Sequence, residues 1–402
     1  PVIEVVGGVY RELCMHPRWD RYLGSAGRGA SVIAALGGET RLHCCLCDLS
    51  HPIIEGAAAL EGFELRATPV ADVAGFHYTH WLSRPVIHRP LAPPPMLLVE
   101  AERVLQFGML QTQATVHAKQ VVYDPQNVEH PESFRASGST AERLALVINR
   151  HEATALLGRA DTMERMAEAL AQQENAEVVV IKRGPMGALV WDQGRVHHVP
   201  AYDTRGVWKI GSGDVFAATF AHAWMGLGRD AVGAADQASR ATAYYCENRI
   251  FATAPTLAKF SPMALMASDR FRDGWRPTVY LAGPFFTLAQ LWVVTQAREA
   301  LQQMGLKVFS PYHDVGHGSA EDVVDKDLQA IKDCDLVLAI VDGLDAGTLY
   351  EIGYARALDR QVVVYCEQEK REDLKMMEGS ACHLVADFTS AIYRTVWVGA
   401  AL

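Results

Sequence analysis

From residue 277 onward the chain keeps a regular beat. Apolar runs at 279–282, 307–309, 336–341 and 361–365 are short and rich in β-branched residues, which predicts strands. Between them, 291–304, 323–333 and 350–358 carry apolar positions three and four apart, the spacing of one helix face. Strands alternating with helices predict a parallel sheet covered on both sides. The first 260 residues mix the same ingredients less regularly: strands are predicted at 178–181 and 189–191, and a helix at 141–146 behind an apparent capping box, Ser139 with Glu142. A stretch rich in Met, Ser, Asp and Arg interrupts the pattern and ends in Trp275-Arg276-Pro277. The expected organisation is therefore an α/β chain of two doubly wound domains, residues 1–262 and 277–402, with a linker at 263–276. No internal repeat or low-complexity tract is visible.

Composition narrows the function classes. A chain of 402 residues, half of them apolar, is too long for one ordinary core and too apolar for disorder. A formal charge of −10 without any basic run argues against nucleic acid or an anionic membrane surface as partner, which leaves small molecules. No segment reaches the roughly 18 uninterrupted apolar residues of a membrane span, and the first residues lack a basic leader, so a cytoplasmic location is expected. The cluster His43-Cys44-Cys45-Leu46-Cys47 lies in a buried-strand pattern without a second ligand pair at zinc spacing. It reads as core packing, and no direct metal site made by protein side chains alone is expected anywhere in the chain.

Candidate chemistry concentrates at two places. Asp345-Ala346-Gly347-Thr348-Leu349-Tyr350-Glu351 follows the 336–341 strand and opens a helix, so two carboxylates six residues apart stand at the carboxyl end of a parallel strand. Cleaving an N-glycosidic bond builds positive charge on the anomeric carbon; a carboxylate can attack it, while a second acid supplies the departing base with a proton. Glu351 is the candidate nucleophile, Asp327 or Asp345 the acid or sugar anchor, and Tyr280 the group that orients Glu351. Gly283 and Gly347 permit close backbone approach. The polar loop from Ser310 to Gly318 contains His313, which either contacts a base or 5′-phosphate or belongs to a plain surface loop. The second place is Ile210-Gly211-Ser212-Gly213-Asp214, where successive backbone N–H groups at a helix start make an anion cradle with a carboxylate at its tip.

Tyr280-Leu281-Ala282-Gly283-Pro284-Phe285-Phe286, the Asp327 segment and the 345–355 motif together resemble nucleoside 2-deoxyribosyltransferases and the related N-glycosidases, over about residues 277–395. That resemblance implies sugar or base contacts from Gly283, Pro284, Phe285, Gly347 and His313, no cofactor, and a site completed by a neighbouring subunit, hence a homodimer or larger. The amino-terminal half resembles the PfkB or ribokinase-like kinases over about residues 1–255, through Gly211 to Asp214, Asn149-Arg150-His151-Glu152 and Gly27-Arg28-Gly29-Ala30-Ser31. It implies a ribokinase-like fold followed by a smaller flavodoxin/Rossmann-like domain. It also implies ATP with Mg²⁺, Asp214 as base, Gly211, Ser212 and Gly213 as anion hole, Asn149 and Glu152 near metal and phosphate, Lys182 and Gly184 near nucleotide, and Gly27 and Gly29 in a substrate loop.

The sequence departs from the kinase pattern in three respects, one being that no early substrate aspartate stands around Gly8-Val9-Tyr10. Asp203-Thr204-Arg205-Gly206 is separated from Gly211 by Val207-Trp208-Lys209-Ile210, and Ser31 replaces a substrate-contacting asparagine. The expected activity is a bifunctional one on nucleosides, nucleotides or sugars: glycosidic cleavage or deoxyribosyl transfer joined to ATP-dependent phosphorylation of a hydroxyl. The alternatives are a nucleotide-depleting N-glycosidase, for instance in defence, and a nucleotide sensor with an inactive kinase fold.

Overall fold

The computed structural model describes residues 1–127 and 130–402, which divide into two compact units, Pro1–Ala264 and Leu265–Leu402. In the first unit a nine-stranded sheet runs, edge to edge, Arg195–Val199, Ala188–Asp192, Val178–Lys182, Thr140–Asn149, Thr115–Asp124, Leu98–Phe107, Ile3–Val6, Thr40–Leu46, Glu64–Pro69. Eight of these strands run in the same direction, and only Ala188–Asp192 opposes them, pairing antiparallel with both of its neighbours. Its middle strands are near-continuous apolar runs because helices cover both faces; Val5, Leu105, Val122, Val147 and Val180 are fully buried in one layer. A separate four-stranded sheet, ordered Trp19–Tyr22, Arg11–Cys14, Gly75–Tyr78, Val86–His88, belongs to the same unit.

The helix expected at 141–146 is a strand. Thr140–Asn149 pairs on both sides, Ala145 standing opposite Val122 and Val178. The run Leu144 to Ile148 is wholly buried, so its fit to the sheet outweighs helix propensity. Ser139 does not cap a helix; its hydroxyl accepts from the Val116 backbone N–H. The cysteines at 44, 45 and 47 are buried on or just after the Thr40–Leu46 strand, as core packing requires. Gly27 and Gly29 lie inside the helix Gly24–Ala35, not in a loop. A Cβ at Gly29 would stand 2.7 Å from the Phe107 ring, so close helix-to-sheet packing explains that glycine.

The second unit has five strands, all parallel, in the order Lys307–Phe309, Thr278–Ala282, Leu336–Ile340, Gln361–Tyr365, His383–Val385. The chain leaves Thr278–Ala282 to one side, reaches Lys307–Phe309, then crosses to Leu336–Ile340 on the other. Their carboxyl ends therefore flank a switch point, where open α/β sheets open a crevice. Helices Leu288–Gln303, Ala320–Asp333, Ala346–Ala357 and Phe388–Ala401 connect or follow the strands. Residues 265–276 belong to this unit as well: the helix Asp269–Arg272 is capped by Ser268, whose backbone N–H donates to Ala400 O. No helix among the described residues is long and apolar enough to cross a membrane.

Candidate functional site

At the switch point of the second unit four acidic or phenolic side chains converge. Tyr280, midway along Thr278–Ala282, is fully buried and stacked on Phe309 with ring centroids 5.6 Å apart. Glu351 projects from the second turn of Ala346–Ala357. Burial pushes its carboxyl up to about 8; the nearby charges of Asp327 and Asp345 act in the same direction, and the Tyr280 hydroxyl opposes them. Burial, followed by the Glu351 and Asp327 charges, also raises the Tyr280 phenol. The two groups are close enough to exchange a proton's influence, yet the Tyr280 hydroxyl meets no partner at proper hydrogen-bond geometry.

The two aspartates play different parts. Asp345 is the N-cap of Ala346–Ala357: its Oδ2 accepts from Thr348 N and from Thr348 Oγ1, both at 2.9 Å. Asp327, on Ala320–Asp333, is raised by burial, and its Oδ1 is buried without a partner. A buried acceptor left open is costly unless a ligand or water meets it. Thus Asp345 fixes the helix that carries Glu351, and Asp327 is free to face a ligand.

Around this centre, Pro284 is buried and Phe285 forms ring contacts with Phe286, Tyr312 and His317 at 5.5–5.9 Å. His313 sits in the short helix Pro311–Asp314, its Nδ1 2.9 Å from Ser310 Oγ and its ring 5.0 Å from Tyr312. Gly283 is needed for packing, since a Cβ there would lie 3.2 Å from Ile340 Cβ; at Gly347 a Cβ would lie 3.3 Å from Asp345 Oδ2. Tyr312 and His317 join the cluster without having been singled out as ligand contacts. Their only sequence signal is an aromatic pair in a Gly-rich loop after a strand.

The first unit gathers a second set of charges at the carboxyl ends of its parallel strands. Asp214 lies in the first turn of Ser212–Ala221, after Gly211 in the left-handed region at φ 72°. Its Oδ2 accepts from Arg28 Nη1 at 2.7 Å, and its Oδ1 accepts from Gln126 Nε2. The same guanidinium binds both oxygens of Glu12 through Nη2, at 2.7 and 3.0 Å. Asn149 and Glu152 form a reciprocal capping box at the start of Arg150–Leu157. Burial, then the Asp124 charge, lifts the Glu152 carboxyl to about 7. Lys182 Nζ pairs with Asp124 Oδ2 at 2.9 Å, and a Cβ at Gly213 would lie 3.3 Å from it. Burial pulls the Lys182 amine down, but the Asp124 and Glu152 charges outweigh it and the net direction is upward. Gly184 begins the 3₁₀ turn that follows the Lys182 strand.

Lys182, Gly213 and Asp214 are therefore brought together. Gly27 contributes helix packing, and the inward-facing residue of that stretch is Arg28. Glu12, Arg28, Asp124 and Gln126 were not singled out by sequence. Asp124 was findable as an acid ending an apolar run; the others reveal themselves only through contacts far along the chain.

Comparison with known proteins follows the same division. Residues 109–250 match the pfkB family carbohydrate kinase model, and residues 279–384 match the nucleoside 2-deoxyribosyltransferase model. The chain thus carries one segment similar to pfkB family carbohydrate kinases and another similar to nucleoside 2-deoxyribosyltransferases. Among solved structures, fructokinase from Vibrio cholerae O395, in a fructose-, ADP- and calcium-bound form, superposes with a TM-score of 0.50 at 14% identity, covering 64% of this chain and 98% of its own. A double mutant of the same fructokinase, bound to fructose, ADP and potassium, gives 0.51 at 13% identity, with 64% and 97% covered. At such identities the likeness establishes the ribokinase fold and nothing finer. No curated protein matches the sequence.

Proposed function

We propose that the second unit cleaves the N-glycosidic bond of a nucleoside or nucleotide with Glu351 as covalent nucleophile. The observation that carries this reading is the convergence of Tyr280, Asp327 and Glu351 at the switch point, with a carboxyl moved to about 8 by burial among acids. In the proposed step a Glu351 carboxylate oxygen bonds to the anomeric carbon as the C–N bond breaks, and the bonding pair leaves with the base. Asp327, whose raised proton affinity suits an acid, gives the departing base its proton. A second base or water then attacks the same carbon and releases Glu351. Tyr280 donates toward the Glu351 carboxylate and holds its direction, while the Phe285 and Tyr312 rings offer faces for a base to stack on.

The direct test is incubation with a panel of purine and pyrimidine nucleosides and nucleotides, with products separated by chromatography. Base release should vanish in Glu351→Ala and persist in Asp214→Ala. Dependence on an added acceptor base distinguishes transfer from hydrolysis. Base release that survives Glu351→Ala removes that residue from the nucleophile role.

For the first unit, similarity to the pfkB family carbohydrate kinases makes ATP with Mg²⁺ the ligand to consider. The residues present fit a polyphosphate on the Lys182 and Gly213 side. They do not fit a free base at Asp214, because both carboxylate oxygens are taken.

A further inference from the structure

Phosphoryl transfer to a hydroxyl requires a carboxylate with a lone pair facing the incoming O–H, within about 3 Å, and an open cradle of N–H groups for the moving phosphoryl. In the first unit one side chain blocks both. Arg28 is 1% exposed and lies between Glu12 and Asp214, themselves 6% and 5% exposed. Its guanidinium spreads across Gly211, where any Cβ would overlap Nε and Cζ. Glycine at 211 is therefore demanded twice, by the left-handed backbone and by the arginine lying on it.

The surroundings close the same space. Tyr78, Trp81, Trp19 and Trp208 form a chain of edge-on ring contacts with centroids 5.4 to 6.3 Å apart. Arg249 lies over the Trp208 ring at 4.6 Å. Trp208 belongs to the four residues that separate Asp203-Thr204-Arg205-Gly206 from Gly211, and Trp19 comes from the four-stranded sheet. Baring Asp214 would require Arg28 to leave. That would strand Glu12, since its two oxygens hold the same guanidinium, and a buried pair that loses one partner is strongly unfavourable.

We infer that Arg28 is an internal occupant of the phosphoryl-acceptor position: it ties up the carboxylate and covers the anion cradle, so the first unit does not transfer phosphoryl groups and Asp214 serves as a structural strut. The glycosidic reading of the second unit stands or falls separately.

A free catalytic base and a strut respond to neutralisation with opposite signs. Removing an unpaired buried carboxylate generally stabilises an enzyme, whereas removing one partner of a buried ion network destabilises it. In the full-length protein, Asp214→Asn and Glu12→Gln should each lower the melting temperature of the first unit by about 5 °C or more. The double variant Arg28→Met with Asp214→Asn should fall short of the sum of its singles. Should the arginine variant fail to fold, the two conservative singles carry the test alone. In parallel, ADP release from ATP and Mg²⁺ with sugars, polyols and nucleosides should be no faster in the wild type than in Asp214→Ala. An unchanged or raised melting temperature in Asp214→Asn overturns the inference, and so does ADP release that depends on Asp214.

Discussion

Glu351 offers a prediction whose size follows from where its carboxyl is held. In the unfolded chain it ionises near the ordinary value of 4.5; in the fold it keeps its proton to about 8. Below 4.5 both states are protonated and the group has no effect on stability. Between 4.5 and 8 the unfolded chain sheds a proton that the folded protein retains, so stability falls as pH rises, by about 1.4 kcal/mol for each pH unit. Above 8 both are ionised and the loss levels off. Its ceiling is about 5 kcal/mol, and the partial access of solvent to the carboxyl lowers the expected figure to about 2–3 kcal/mol. Glu351→Gln keeps the shape and an acceptor for Tyr280 but cannot ionise. Relative to wild type, its second unit should melt within a couple of degrees at pH 5 and about 10 °C higher at pH 9. Differential scanning calorimetry of the full chain at both pH values reads this directly. A gap that does not change with pH, or a glutamine variant that is less stable at pH 9, would show that the carboxyl is not held among acids and would refute the reasoning.

Other consequences can be checked with the same material. Because the productive pair carries one proton, with Glu351 ionised and Asp327 protonated, kcat/KM for base release should fall as pH rises through about 8; Tyr280→Phe removes the donor that favours the ionised Glu351 and should move that fall to higher pH. Asp345→Ala loses both bonds to Thr348 and should cost about 1 kcal/mol in urea unfolding, while Asp345→Asn, still a good cap, should cost less than half of that. Gly283→Ala forces a methyl against Ile340 and should destabilise the second unit by roughly 1 kcal/mol, visible as a shifted urea midpoint at unchanged slope.

The second unit was readable because its information is local. Each strand between 278 and 365 is a compact apolar run, and the helices Leu288–Gln303 and Ala346–Ala357 carry their own caps, Thr287 with Gln290 and Asp345 with Thr348, so periodicity and punctuation agree. The first unit misled where local and tertiary preferences diverge: Ser139 and Glu142 mimic a helix start, but Leu144 to Ile148 are claimed by strands on either side. Its candidate site was half legible. Asp214 and Lys182 announce themselves beside glycines and at a strand end, whereas the Arg28 contact with Asp214 spans 186 positions and the Gln126 contact spans 88. No spacing rule reaches that far. Arg28 in particular reads as one more residue among glycines until the helix turns it inward against Glu12.

The central claim is a covalent bond between Glu351 and the anomeric carbon, and trapping that bond is its most direct measurement. A 2′-fluoro substituent withdraws electron density and slows breakdown of a glycosyl-enzyme, so the protein can be incubated with 2′-fluoro-2′-deoxynucleosides bearing each base, then digested and examined by mass spectrometry. The account predicts a fluorodeoxyribosyl adduct on the peptide containing Glu351, absent in Glu351→Gln. Base release without any adduct on that peptide, or an adduct on a different side chain, would contradict it.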